Sequence, residues 1–220
     1  MGKTAIIIGA TGLTGGLLLQ GLLEDNRYQK IKLLSRNPCS IKHPKIEEHL
    51  IDLFELEKQQ HLFIADEVFC CIGTTKAKTP NEEQYLKIDY AIPATLAQLC
   101  KKMGIHTLLV ISALGANKNS KIFYNRTKGR MEEEVLRNKI KNTYILQPSL
   151  IGGSRNEKRL GEKIAKLFMS ILNPFLIGSL KKYRSIHPET IAKAMIWLAN
   201  NDYKSRRIPS NEIQQIAVSL

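Results

Sequence analysis

The chain has 220 residues, 43% hydrophobic and 24% charged, ordinary proportions for a globular protein that exclude a disordered, collagen-like or coiled-coil chain. Lys and Arg number 33 against 20 Asp and Glu, a net +13 that favours anionic partners (nucleotide cofactors, phosphorylated substrates, nucleic acid, an acidic membrane face) without choosing among them. The four cysteines, Cys39, Cys70, Cys71 and Cys100, lack zinc spacing and read as free thiols of a reducing cytoplasm, and the five histidines show no metal-ligand pattern, so no metal is assigned.

In chain order, short apolar runs alternate with longer amphipathic ones, the pattern of strand-helix units in a parallel sheet. Thr4–Ile8 reads as a strand, Leu13–Glu24 as a helix, and Lys30–Ser35, Glu48–Leu53 and Glu67–Gly73 as further strands. The apolar stretch from Ile6 to Leu23 mimics a signal peptide, but Gly9, Gly12, Gly15 and Gly16 interrupt it, and no other window is apolar enough to span a bilayer. A soluble cytoplasmic protein is therefore expected. A helical stretch opens near Asn81; Pro93 marks the first turn of a helix running to Lys102, which Gly104 caps. Thr107–Ala113 is the next strand, Phe123–Asn138 a helix, and Thr143–Leu146 a strand ending before Pro148.

Beyond Ile151 the character changes. Gly152-Gly153, the basic run Arg155–Arg159, an amphipathic Gly161–Leu172, Pro174 and Gly178 suggest a small lobe over 152–187 within a single unit spanning 1–220. A last helix, Glu189–Asn200, places Ile191, Ala194, Met195 and Leu198 at core-facing spacing. The tail from Ser210 is too short to assign. These elements add up to an α/β fold: a doubly wound parallel sheet, helices on both faces, and a small C-terminal substrate lobe.

Gly9-Ala10-Thr11-Gly12-Leu13-Thr14-Gly15 joins the first strand to the first helix. A glycine-rich turn at that point allows backbone N–H groups to approach closely, and the helix N-terminus favours a pyrophosphate. The residue closing the second strand selects the dinucleotide: a carboxylate there reads a ribose 2′-hydroxyl. Here Arg36 follows Ser35, with Lys42 and Lys45 nearby, and a guanidinium pairs with a 2′-phosphate, so NADP(H) is expected over NAD(H). Asp52, expected to end the third strand, either accepts from the adenine amine or forms a turn. Further on, Tyr124 and Lys128 form a YxxxK pair on one helix face, and Ser112 ends the preceding strand at the carboxyl edge where open parallel sheets bind ligands.

With these segments in place the chain resembles the short-chain dehydrogenase/reductase superfamily over nearly its whole length, as an atypical member similar to the Tat-interacting-protein oxidoreductase-like group. The resemblance rests on the glycine turn, Leu34-Ser35-Arg36, Cys70-Cys71-Ile72-Gly73-Thr74-Thr75, Ile111-Ser112-Ala113-Leu114-Gly115-Ala116 and Tyr124 to Gly129. It implies a Rossmann-like NAD(P)-binding fold. It further implies that Ser112 polarises a carbonyl, that Tyr124 gives or takes the proton, and that Lys128 binds the nicotinamide ribose and lowers the tyrosine pKa. Leu53, Cys71, Gly73, Thr74 and Thr75 would line the cofactor, Pro148, Leu150 and Ile151 would flank the nicotinamide, and Asp89 would be a polar neighbour of the site or a helix cap.

The expected activity is NADP-dependent hydride transfer to or from a small carbonyl or alcohol substrate. That substrate is anionic if Arg155, Lys158, Arg159, Lys163 and Lys166 receive it. One alternative is a regulatory protein that binds NADPH and reports it to a protein partner. Another is a sugar-nucleotide epimerase-like enzyme, for which the lobe is small. The lysines are scattered and no recognition-helix signature accompanies them, so no specific nucleic acid is expected. A monomer or homodimer fits equally.

Overall fold

The computed structural model describes residues 2–152 and 183–219. Strand β1 (Lys3–Ile8) leads into helix α1 (Leu13–Glu24), followed by β2 (Tyr28–Ser35), β3 (Ile46–Leu50), a kinked 3₁₀ segment (Leu53–Leu62) and β4 (Glu67–Cys70). Next come α2 (Glu82–Leu86), a wide π turn (Lys87–Ala91), α3 (Ile92–Lys102), β5 (Thr107–Ile111), α4 (Phe123–Arg137) and β6 (Asn142–Gln147). The described chain closes with α5 (Pro188–Asn200), β7 (Arg207–Pro209) and α6 (Ser210–Val218).

The seven strands of the described residues are all parallel, in the order β3-β2-β1-β4-β5-β6-β7, which is a Rossmann-like α/β fold. The chain winds outward from β1 in both directions, so the loops after β1 and β4 diverge and leave a crevice at the carboxyl ends of the strands. The apolar strand sequences follow from burial on both faces. Ile7 joins α1, α5 and α6 on one side, with Leu18, Leu22, Ile191, Ala194, Met195, Leu198, Ile213 and Ile216. Ile6 and Ile8 point to the other side, among Leu96 and Leu99 of α3 and Met131 and Val135 of α4. A period-2 alternation in one strand thereby builds both cores.

Pro93 sits in the first turn of α3, as expected, but the helix axis does not stop there: the π turn Lys87–Ala91 widens the coil just ahead of a residue that lacks an N–H. Gly104 follows α3 with φ +71°, the left-handed conformation a glycine cap supplies.

Several boundaries differ from the sequence expectation. The third strand is Ile46–Leu50, not Glu48–Leu53, because its ladder pairs with Ile31–Ser35 and Asp52 turns the chain by accepting from the Phe54 N–H at 2.9 Å. The fourth stops at Cys70, which frees Ile72-Gly73-Thr74-Thr75 as a loop, and the fifth at Ile111, which leaves Ser112 just beyond the strand. The edge strand β7 and helix α6 went unassigned; a three-residue strand ending in proline carries no periodic signal. Ile151 bridges Ile186 in parallel. The expected features between Gly153 and Gly178, including the basic run and the amphipathic Gly161–Leu172, lie outside the described residues.

Candidate active site

The turn after β1 is shaped by two glycines. Gly9 has φ +92°, and a Cβ there would sit 2.8 Å from the Cys71 carbonyl carbon and oxygen. On Gly15 a Cβ would lie 2.1 Å from the Gly9 carbonyl oxygen, so α1 can start this close to β1 only without a side chain. Gly12 caps α1 without a side-chain hydrogen bond, and no acidic residue stands in the first turn. The positive end of the helix is thus left to an outside acceptor, with Thr11 and Gly12 exposed, Leu13 half-buried and Thr14 buried beneath. These are the clearances and donors that a pyrophosphate requires.

At the end of β2, Arg36 is exposed and its guanidinium makes no ion pair or hydrogen bond among the described residues. Asp52 is exposed and uses Oδ1 as the cap described above, and Leu53 is buried in the core at 5% exposure. Cys71 is held by its N–H to the Ile8 carbonyl at 2.8 Å and its Sγ lies 4.0 Å from Met195 Sδ, which leaves its backbone, not its thiol, against Gly9. Burial pushes the Cys70 thiol up to about 11, which argues against a cysteine nucleophile here.

Across the crevice three elements meet. Lys128 Nζ on α4 lies 2.8 Å from Asp89 Oδ1 on the π turn, with side-chain exposures of 5% and 0%. The other oxygen of Asp89 accepts from the Thr74 N–H at 2.7 Å. A Cβ on Gly73 would stand 3.5 Å from Asp89 Oδ1 and 3.7 Å from Lys128 Nζ, so the bare backbone of the loop after β4 passes beside the pair. Thr74 Oγ1 also shares a hydrogen bond with Thr79 Oγ1 at 2.8 Å, and the Thr75 carbonyl accepts from the Lys78 and Thr79 amides, which folds the loop back on itself.

Tyr124 is one turn before Lys128 and is 39% exposed, at the open end of the same helix face. Burial raises its phenol above the usual tyrosine value; Lys128 opposes the rise and Asp89 adds to it. The downward action expected of Lys128 is present but does not set the net direction. The charge of the lysine is answered by Asp89. Burial works against the charge of Lys128 itself, yet Asp89 and Tyr124 outweigh it and leave the ammonium raised.

Ser112 follows β5 and is buried at 4% exposure. Its hydroxyl donates to Glu132 Oε1 at 2.5 Å, so polarising a carbonyl would require that proton to leave a buried carboxylate. Gly129 lets α4 approach the loop after β5: a Cβ there would come within 2.2 Å of the Asn117 carbonyl carbon. Pro148 accepts from the Leu114 N–H at 2.8 Å and Leu150 from the Ile186 N–H at 3.0 Å, while the Leu150 and Ile151 side chains are exposed.

The structure therefore brings Gly73, Thr74 and Lys128 together, buries Leu53 in the core and leaves Asp52 exposed at the end of its turn. Sequence reading missed the pairing of Asp89 with Lys128, and missed Glu132, Gln147 and Arg207 around Ser112. Glu132 lies four residues after Lys128 and eight after Tyr124, so extending the helical spacing by one more step would have found it. Among the described residues no group of three or more His, Cys, Asp or Glu could hold a metal, and no helix is long and apolar enough to cross a membrane.

Compared with known proteins, residues 9–163 match the NAD(P)H-binding family. The chain is 32% identical to the mitochondrial protein FMP52 of Candida glabrata, over 81% of this chain and 76% of that one. It is 29% identical to the protein HTATIP2 of Rattus norvegicus, over 77% and 72%. A solved structure of MoeE5 with UDP-glucose and NAD superposes with a TM-score of 0.68 at 16% identity, covering 98% of this chain and 81% of that one; at that identity it attests the fold. The expectation of a cytoplasmic protein is overturned: the FMP52 relatives are mitochondrial by name. Free thiols fit any reducing compartment and could not have specified the cytoplasm.

Proposed function

From the premise that this chain belongs to the NAD(P)H-binding family, we propose that it is an NADP-dependent oxidoreductase acting on a small carbonyl or alcohol, with Ser112, Tyr124 and Lys128 as its site. The observation that carries this reading is the buried ion pair of Lys128 with Asp89, set 2.8 Å apart beside the bare backbone of Gly73, one helical turn from Tyr124. A charge removed from water beside an open glycine loop costs several kcal/mol unless it is paired, and such perturbed groups cluster at functional sites.

Hydride exchange is the chemistry a bound nicotinamide supplies. The chain's own part is to bind, orient and move one proton. The uncapped start of α1, with Gly9, Thr11, Gly12, Leu13, Thr14 and Gly15, would hold the pyrophosphate, and Arg36 the 2′-phosphate, while Cys71, Gly73, Thr74 and Thr75 would line the cofactor by their backbone. Lys128 would reach the nicotinamide ribose, and Pro148, Leu150 and Ile151 would flank the ring. Tyr124, held as a neutral phenol, is in the form that donates a proton to an alkoxide as it develops.

The test is turnover of NADPH with a panel of small aldehydes and ketones by wild type and Tyr124→Phe. Loss of about 10²- to 10⁴-fold in the variant is the expected result. Turnover by wild type that survives the substitution would contradict it.

A further inference from the structure

The hydroxyl of Ser112 is committed before any ligand arrives. Ser112 and Glu132 are 4% and 1% exposed, and the serine donates to Glu132 Oε1 at 2.5 Å. Every other hydrogen bond to that carboxylate also comes from a donor. Gln147 Nε2 reaches Oε1 at 2.9 Å and Oε2 at 3.0 Å, and Arg207 Nε reaches Oε2 at 2.8 Å. Arg207 is itself braced by Glu133, 2.8 Å from its Nη2. Donors thus converge on both oxygens, and the charge is answered by a guanidinium from the edge strand.

A serine hydroxyl has one proton and two lone pairs. Hydrogen bonds to an ionised acceptor are short and roughly twice as strong as neutral ones, and withdrawing a donor from a buried carboxylate carries a desolvation cost. The serine therefore has lone pairs to offer and no proton to spare. A carbonyl oxygen can only accept, so it has nothing to gain from such a group; an alcohol hydroxyl can donate to it.

We propose that Glu132 is a positioning residue that fixes the sense of the Ser112 hydroxyl, so that Ser112 meets its ligand as an acceptor and recognises the hydroxyl of the alcohol form, not the oxygen of the carbonyl form. This rests on the reading of Ser112 as a site residue. It leaves Tyr124 as the donor to a carbonyl, and it makes Gln147 and Arg207 parts of the site through Glu132.

The sense of the hydroxyl is open to measurement without cofactor or substrate. Proton NMR of the purified full chain reads a hydroxyl held between Ser112 and Glu132 as a slowly exchanging resonance well downfield of ordinary hydroxyls. It is expected in wild type and in Tyr124→Phe, and absent in Ser112→Ala; Glu132→Gln, where folded, moves it upfield. No such resonance in wild type, or its survival in Ser112→Ala, overturns the proposal. The second arm uses NADP-loaded protein and the probes 1-phenylethanol and acetophenone. Ser112→Ala is expected to weaken the alcohol roughly tenfold and to leave the ketone within about threefold. A larger loss for the ketone overturns the proposal. Binding of neither probe to wild type would count against the oxidoreductase reading, while the resonance still decides the sense of the serine.

Discussion

Lys128 and Asp89 face each other at 2.8 Å in the interior, and between them they join the long helix α4, the π turn before α3 and the Thr74 amide of the loop after β4. Removing one partner of a buried pair strands the other. Asp89→Asn should therefore destabilise the protein by about 3–5 kcal/mol, read as a lowered denaturant midpoint. The double variant Asp89→Asn, Lys128→Met should recover most of that loss, since two neutral groups leave no orphan charge. A double variant as unstable as the single one would mean that the pair is not what holds these elements together.

The phenol of Tyr124 is raised, with burial as the main cause, and the sign of its pH dependence follows. The group titrates in the unfolded chain at about 10 and higher in the fold. Its contribution to stability is thus fully present below the unfolded value and is lost as pH rises through the folded one. As a proton donor it stays competent across neutral and mildly alkaline pH, so carbonyl reduction should show no tyrosine limb below about pH 10, whereas alcohol oxidation should keep rising toward that pH. A pH–rate profile in which reduction falls near neutrality with the loss of one proton would contradict this.

Gly15 and Gly129 mark two close backbone approaches. A Cβ at the first would lie 2.1 Å from the Gly9 oxygen, and at the second 2.2 Å from the Asn117 carbonyl carbon. Backbone cannot swing aside as a side chain does. Gly15→Ala and Gly129→Ala should each cost about 1–3 kcal/mol in chemical unfolding. Gly15→Ala should also weaken cofactor binding, which titration would detect; unchanged stability and binding would show that the helix shifts freely.

Much of this architecture was legible because burial imposes periodicity. Ile6, Ile7 and Ile8 announced a strand covered on both faces, and Leu13–Glu24 coincided with the observed helix. The third strand was misplaced because Ile46–Leu50 is only half-buried along most of its length and its pattern is weak. Tyr124, Lys128 and Ser112 could be named from spacing, but not what answers their polar atoms. Asp89 comes from a different helix, and Arg207 from an edge strand too short to recognise; such partners are set by the sheet order and not by local sequence. The compartment was misjudged for another reason: thiol chemistry reports redox state, not address.

The most direct test of the whole account is calorimetric titration of cofactor-stripped protein with NADPH and NADH, repeated with Arg36→Asp. Arg36 is exposed at the end of β2 with no partner among the described residues. Wild type should show a clear preference for NADPH. Arg36→Asp should weaken NADPH by about 10- to 100-fold, roughly 1–3 kcal/mol, while NADH is far less affected. Equal losses for both cofactors would show that Arg36 does not read the 2′-phosphate, and binding of neither by wild type would contradict the proposed oxidoreductase outright.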